Sequence, residues 1–65
     1  MSSDKPMTLW EAYERDGTGC ACYLYRELAE NCDIFEKGID RVVRSTVRVS
    51  DEEVYTLLTG GAVFR

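Results

Sequence analysis

Residues 33–49, DIFEKGIDRVVRSTVRV, suit either a helix or a pair of strands, and the fold class depends on which they form. Their apolar residues recur every four positions, a spacing that favours one face of a helix. These residues are Ile34 with Phe35, Gly38 with Ile39, and Val42 with Val43. The many β-branched residues and the glycine weaken this interpretation, because both lower helix propensity. We expect a helix that ends near Arg44, followed by an extended segment over 46–49.

A hairpin is the alternative for the same segment. Lys37-Gly38 suits a tight turn, because glycine adopts the positive φ angles that such turns require. The turn would join strands over 33–36 and 39–49. The sequence leaves this choice open.

Two further helices are expected in the first half of the chain. Thr8 opens the first, because Thr8 and Glu11 have the spacing of a capping box, in which each side chain bonds the other's backbone N–H. Gly17 ends it, since glycine favours the left-handed conformation found after helix ends. The second is expected from about Cys20 to Asn31, with its apolar residues on one face. These patterns predict a helical first half.

A final helix is predicted from Ser50, where Ser50 and Glu53 form a second capping box, through about Leu58. The expected fold is therefore mainly α, a small bundle of three to four short helices. Residues 46–49 and 62–64 can add a minor two-stranded ribbon beside the last helix.

Chain length limits the protein to one domain of marginal stability, since it has 65 residues. We expect a flexible N-terminal lead over 1–7 and a single small helical domain over 8–65. Such a domain gains buried surface most simply from a second copy of itself, so we expect a homodimer. The predicted contact residues are Cys22, Tyr23, Val63 and Phe64.

The cysteine count and the lack of long apolar runs indicate a cytoplasmic protein. Three cysteines are an odd number, whereas secreted disulfide scaffolds normally carry an even one. The first residues lack the apolar run of a signal peptide, and no segment reaches the roughly 18 consecutive apolar residues of a membrane span. We therefore expect reduced thiols and no membrane association.

Residues suited to catalysis or metal binding are sparse. The chain has no histidine, which is the usual base for a nucleophilic cysteine or serine. Cys20, Cys22 and Cys32 lack the usual zinc-site spacing, and on a helix Cys20 and Cys22 would point about 200° apart. A fourth ligand would have to come from Asp33 or from a second chain. We expect no enzymatic activity, no metal and no cofactor.

Four cations interrupt an otherwise acidic chain whose net charge is −4. Lys37, Arg41, Arg44 and Arg48 are spaced four, three and four apart, which aligns them along one stripe of the expected helix. Such a stripe suits an acidic protein partner or a phosphate backbone. It also suits an ordinary solvated face in which Asp40 pairs with Arg44.

The expected function is that of a small non-enzymatic regulator, inhibitor or adaptor that binds another protein. The expected partner-binding residues are Lys37, Arg41, Arg44, Arg48, Tyr23 and Phe64. Tyrosine is included because protein interfaces favour its apolar body and polar tip. Nucleic-acid binding by the basic residues of 37–48 is a less favoured alternative, because phosphate repels an acidic protein. A further alternative is an acidic mimic of DNA built from the carboxylates of residues 1–36.

Overall fold

The protein forms a four-stranded antiparallel sheet with a short helix on each side. The computed structural model describes residues 4–65. In chain order, its elements are β1 (Lys5–Glu14), β2 (Cys20–Tyr23), α1 (Arg26–Glu30), β3 (Ile39–Val49), α2 (Asp51–Leu58) and β4 (Val63–Phe64). The strand order is β3-β1-β2-β4, so β1 and β2 are internal and β3 and β4 are edge strands. The prediction of a mainly α bundle of three to four helices is therefore wrong.

The first predicted helix is the central strand β1 instead. Leu9 and Ala12 are both fully buried, although they point to opposite faces of this strand. A strand that is covered on both faces loses the alternation of apolar and polar residues that identifies a half-buried strand. The spacing of Thr8 and Glu11 matches a capping box by residue type only, because in β1 the two side chains point to opposite faces of the sheet.

The second predicted helix, from Cys20 to Asn31, consists of a strand followed by a short helix. All four residues of β2 are buried, and the strand pairs with β1 from Trp10 opposite Tyr23 to Tyr13 opposite Cys20. Helix α1 then covers only Arg26–Glu30. A short continuous apolar run is compatible with a buried strand or a buried helix, so periodicity alone did not distinguish them.

Residues 39–49 form strand β3, so the predicted helix ending near Arg44 is wrong. The hairpin alternative is correct for this strand, but not for its partner, because residues 33–36 form no strand. β3 pairs with β1 instead, from Lys5 opposite Val49 to Tyr13 opposite Arg41. Gly38 turns the chain into β3 with a φ of +88°, and its N–H donates to the Phe35 carbonyl at 3.0 Å.

Helix α2 confirms the predicted capping box at Ser50 and Glu53. The Ser50 Oγ accepts from the Glu53 N–H at 3.3 Å, and the Glu53 carboxylate accepts from the Ser50 N–H at 2.9 Å. The helix ends at Leu58, as predicted. The predicted ribbon between 46–49 and 62–64 is wrong, because β3 pairs with β1 while β4 pairs with β2.

The two faces of the sheet bury different side chains, and we name each face after its helix. The α2 face carries the larger core, formed by Leu9, Cys20, Cys22, Val49, Leu57 and Val63. The α1 face carries the smaller core, formed by Ala12, Ala21, Tyr23 and Ala29. Strand residues two apart share a face, so the alternation along β1, β2 and β3 decides which side chains meet.

The predicted flexible lead over 1–7 lies partly outside the described residues, which begin at Asp4. Lys5, Pro6 and Met7 form the start of β1. Within residues 4–65, neither helix is long and apolar enough to cross a membrane.

Candidate protein-binding surface and thiol cluster

Strands β1 and β3 extend beyond β2 as a two-stranded section of the sheet. β2 pairs only with the second half of β1, whereas β3 pairs along its whole length. Helix α2 and its core cover one face of this section, where Leu9 and Val49 are fully buried. The opposite face is exposed, and we call it the open ribbon face. Its residues are Pro6, Thr8, Arg44, Thr46 and Arg48.

Two of the predicted partner-binding cations lie together on the open ribbon face. Arg44 and Arg48 are four residues apart on one strand, so they point to the same side. Arg48 donates weakly to the Asp4 carbonyl, at 3.4 Å. Within residues 4–65, the Arg44 side chain forms no ion pair or hydrogen bond, so its charge is available to an external anion. Thr8 and Thr46 face each other across the two strands and add two exposed hydroxyl groups.

The other two cations of the predicted stripe lie elsewhere. Arg41 is three residues from Arg44 along β3 and therefore points to the opposite, α2 face. Its guanidinium lies 4.4 Å from the centre of the Tyr13 ring. It also forms an ion pair with Asp40 at 2.9 Å, in place of the expected pair between Asp40 and Arg44. Lys37 lies exposed in the turn before β3. A single stripe does not form, because alternate residues of a strand point to opposite faces.

The aromatic residues predicted to bind a partner differ in exposure. Tyr23 is only 7% exposed and donates its hydroxyl to the Cys32 Sγ at 3.1 Å. Burial raises the pKa of Tyr23 to about 12. Phe64 lies in the edge strand β4 and is 63% exposed. Cys22 and Val63 are buried as well, so Phe64 alone among the four predicted dimer contacts is exposed. The homodimer itself stays a prediction.

An open groove of about 740 Å³ lies between α1 and the end of α2. Its apolar lining includes Tyr25 and Leu58, which are largely exposed, and its charged residues are Glu27 and Asp33. These two carboxylates make the groove unsuitable for the acidic partner that the cations of β3 suggest.

The acids of residues 1–36 do not share one surface. Glu11 lies on the α2 face beside buried cysteines. On α1, Glu30 forms an ion pair with Arg26 at 2.8 Å, which offsets its charge. This distribution favours the open ribbon face over the acidic residues as the candidate binding surface.

A second group of functional interest, the thiol cluster, consists of Glu11, Cys20 and Cys22 on the α2 face. Their ligand atoms all lie within 4.8 Å of one another. The Cys22 Sγ is 3.9 Å from the Glu11 Oε2. The other carboxylate oxygen, Oε1, accepts a hydrogen bond from the Tyr13 hydroxyl at 3.0 Å. Burial, and to a smaller extent the nearby Glu11 charge, raises the pKa of both thiols; that of Cys22, which Cys20 also raises, is about 12.

Sequence reasoning missed this cluster because it placed Cys20 and Cys22 on a helix. In β2 the two residues are neighbours on one face, and the register with β1 sets Glu11 opposite Cys22. The spacing Cys-x-Cys would have indicated a shared face if the segment had been taken as a strand. Cys32 packs against the core of the α1 face instead and is not part of the cluster.

Comparisons of the chain with models of protein families, with curated proteins and with solved structures find no match. The function proposed below therefore rests on the geometry and charge of the residues.

Proposed function

We propose that this protein is a non-enzymatic regulator or adaptor that binds an extended, acidic segment of another protein along β3. The observation that supports this proposal is the open ribbon face, where Arg44 and Arg48 are exposed on the edge strand β3.

Strand β3 offers a backbone template for such a segment. It is eleven residues long, it has β1 as its strand neighbour, and its register with β1 is regular from Val49 to Arg41. An extended peptide can add to the edge of a sheet through main-chain hydrogen bonds, while side chains at alternate positions supply specificity. Charged side chains on an edge strand also discourage unspecific pairing between sheets. The arginines of β3 therefore favour a partner that supplies complementary charge.

The spacing of the cations defines the charge pattern of the partner. Arg44 and Arg48 lie four residues apart, which is about 13 Å along a strand. A bound segment with acidic residues at positions i and i+4 would place one carboxylate near each guanidinium. Thr8 and Thr46 lie between them on the same face and can donate hydrogen bonds to the same carboxylates.

A nucleic acid is a weaker match for this face. With two cations on the open ribbon face, about two phosphates would be neutralised, and the slope of log K against log salt would be about −1.8. The chain as a whole has a net charge of −4, which repels a polyanion along its whole length. A short acidic protein segment carries fewer negative charges than a nucleic acid and therefore meets weaker long-range repulsion as it approaches the two arginines.

Affinity capture from a lysate of the native host, with and without nuclease, tests this proposal. The wild-type protein is compared with the double variant Arg44→Glu and Arg48→Glu, and the captured protein is then purified and its affinity measured directly. The control is the double variant Arg15→Glu and Lys37→Glu, which makes the same charge change at the far end of β3. Hydrogen exchange of the purified complex then locates the protected backbone amides.

The proposal expects one purified partner whose binding is lost in the Arg44 and Arg48 variant, kept in the control and unaffected by nuclease. Protection from exchange should be greatest in β3. Binding that survives the Arg44 and Arg48 substitutions, or that disappears after nuclease treatment, would contradict it.

A further inference from the structure

We propose that the thiol cluster of Glu11, Cys20 and Cys22 binds one Zn²⁺ ion on the α2 face of the sheet. The three side chains come from two adjacent internal strands, β1 and β2, whose register sets Glu11 opposite Cys22 and Tyr13 opposite Cys20. This inference is independent of the partner proposed for β3.

The distances are close to those of a tetrahedral zinc site. Zinc binds thiolate sulfur at about 2.3 Å and carboxylate oxygen at about 2.0 Å, so its ligands lie about 3.5 to 3.8 Å apart. The Cys22 Sγ and the Glu11 Oε2 are 3.9 Å apart, and all three ligand atoms are within 4.8 Å of one another. Small side-chain rotations bring the atoms to coordination distance without a change in the strands.

Tyr13 holds the Glu11 carboxylate in an orientation that suits a single metal bond. Its hydroxyl donates to Oε1 at 3.0 Å, and Oε2 is the oxygen that faces the Cys22 thiol. The Tyr13 ring is in turn covered by the Arg41 guanidinium at 4.4 Å. Hydrogen bonds from neighbouring groups commonly orient metal ligands in this way. We therefore assign Tyr13 as a positioning residue of the site.

The donor set favours zinc over other common ions. Two thiolates exclude the hard cations Mg²⁺ and Ca²⁺, which prefer oxygen, and a carboxylate ligand is unsuited to Cu⁺. Three protein ligands leave the fourth tetrahedral position to a water molecule. Glu11 and Tyr13 are only partly buried, so this position has access to solvent.

The charges and protons balance when one Zn²⁺ ion is bound at the thiol cluster. Binding releases one proton from each thiol to solvent, so two thiolates and one carboxylate surround the divalent ion and the site carries one net negative charge. Arg65 lies close by, since its backbone N–H donates to the Cys20 carbonyl at 3.1 Å. The Arg65 guanidinium pairs with Glu53 at 2.9 Å, so the cluster has a cation in its surroundings but no dedicated counter-ion.

Titration of the purified full-length chain with Co²⁺ and Zn²⁺ tests the inference. Co²⁺ reports tetrahedral thiolate coordination through its visible absorption, and Zn²⁺ should displace it. The ligand variants are Cys22→Ser and Glu11→Gln, of which the second keeps the shape of the side chain. Tyr13→Phe tests the positioning residue. Cys32→Ser is the matched control, because Cys32 lies against the core of the α1 face and serine keeps an acceptor for Tyr23.

We expect one ion per chain, a tetrahedral Co²⁺ spectrum and a melting temperature that rises with zinc concentration, because the ion binds the folded state. Tyr13→Phe should weaken binding about 10- to 100-fold, and the two ligand variants should weaken it further. Cys32→Ser should bind like the wild type.

Three results would overturn the assignment. The first is that a wild-type chain that circular dichroism shows to be folded binds no metal. The second is that Glu11→Gln binds the metal as tightly as the wild type, and the third is a stoichiometry of one ion per two chains. The Glu11→Gln result also distinguishes zinc from Cu⁺, whose binding by the two thiols would not need the carboxylate.

Discussion

The two faces of the sheet are built from side chains of different size, and only one face is covered along its whole length. On the α2 face the fully buried side chains are large, with Leu9, Val49 and Leu57 packed around Cys22. On the α1 face the buried positions are mostly alanines. Each fully buried side chain of the α2 face therefore contributes more hydrophobic stabilisation than a buried alanine, because the buried apolar area sets the size of that contribution.

The helices that cover the two faces also differ, since α2 is longer and has more stabilising contacts at its ends than α1. Helix α2 has eight residues, a capping box and an ion pair between Glu53 and Arg65 at 2.9 Å. The Arg65 guanidinium also donates to the Arg48 carbonyl at 2.7 Å, which connects the ends of the two edge strands. Helix α1 has five residues and no side-chain hydrogen bond at its N-cap. Helix α2 is therefore fixed by its cap and by Arg65, whereas the short α1 covers only part of its face and leaves the open ribbon face exposed.

The substitution Leu9→Ala should have the largest effect, because it removes a fully buried side chain from the core of the α2 face. Leucine-to-alanine changes in protein cores lower the free energy of unfolding by about 2–5 kcal/mol. That loss is comparable to the whole stability of a domain this small, about 3–10 kcal/mol by the usual value per residue. Urea denaturation followed by circular dichroism measures it. Leu58→Ala, at a position 63% exposed, is the control and should change the midpoint little.

The substitution Ala12→Leu tests the α1 face, where the tight packing of alanines leaves no room for a larger side chain. Ala12 is fully buried against Ala21 and Ala29. Insertion of extra side-chain atoms into a packed core lowers the free energy of unfolding by about 1–3 kcal/mol. Thr8→Val, on the same face of β1 in its exposed half, should be nearly neutral in the same denaturation assay. An Ala12→Leu variant as stable as the wild type would mean that α1 moves freely on the sheet.

The substitution Ser50→Ala measures the contribution of the capping box that distinguishes α2 from α1. Loss of an N-cap side chain leaves a backbone N–H at the helix start without its partner and typically costs ~1 kcal/mol. Thermal and urea unfolding should both show the loss. Thr18→Ala, in the exposed turn between β1 and β2, provides a comparison that removes a hydroxyl from outside any helix. An equal loss in both variants would contradict the assigned role of the cap.

The ion pair between Glu53 and Arg65 should make the free energy of unfolding depend on pH in the acid range. Hydrogen bonds from Arg65 and from the Ser50 backbone lower the pKa of Glu53 from 4.5 to about 2. The folded state therefore binds fewer protons than the unfolded state between these values, and the stabilisation present above pH 4.5 is lost as the pH falls towards 2. The effect is the smallest of the four, because both side chains are about one-third exposed and solvent screens the pair.

Unfolding free energies of the wild type and of Glu53→Gln, measured from pH 7 down to acid, test this dependence. Their difference should be largest at neutral pH and should shrink as the wild-type carboxylate becomes protonated. A difference that stays constant with pH would show that the ion pair adds nothing beyond the hydrogen bonds of the cap.

The candidate site was predictable only in part. The cations of β3 stood out as a group, and Arg44 and Arg48 do share an exposed face. The expected position of Arg41 was wrong, because three-residue spacing aligns side chains on a helix and separates them on a strand. The same error hid the thiol cluster, since Cys20 and Cys22 diverge on a helix and converge in β2.

Local sequence alone determined helix α2, including its first residue and its end. The capping box joins residues three apart, and the hydrogen bonds of a helix join residues four apart, so neighbouring residues contain all the information that this element needs. The sheet required the tertiary structure. The pairing of Lys5 with Val49 joins distant segments of the chain, and coverage of β2 and of the second half of β1 on both faces removes the period of two from their sequences. Only that pairing decided that Glu11 meets the two thiols and that Arg44 and Arg48 face solvent together.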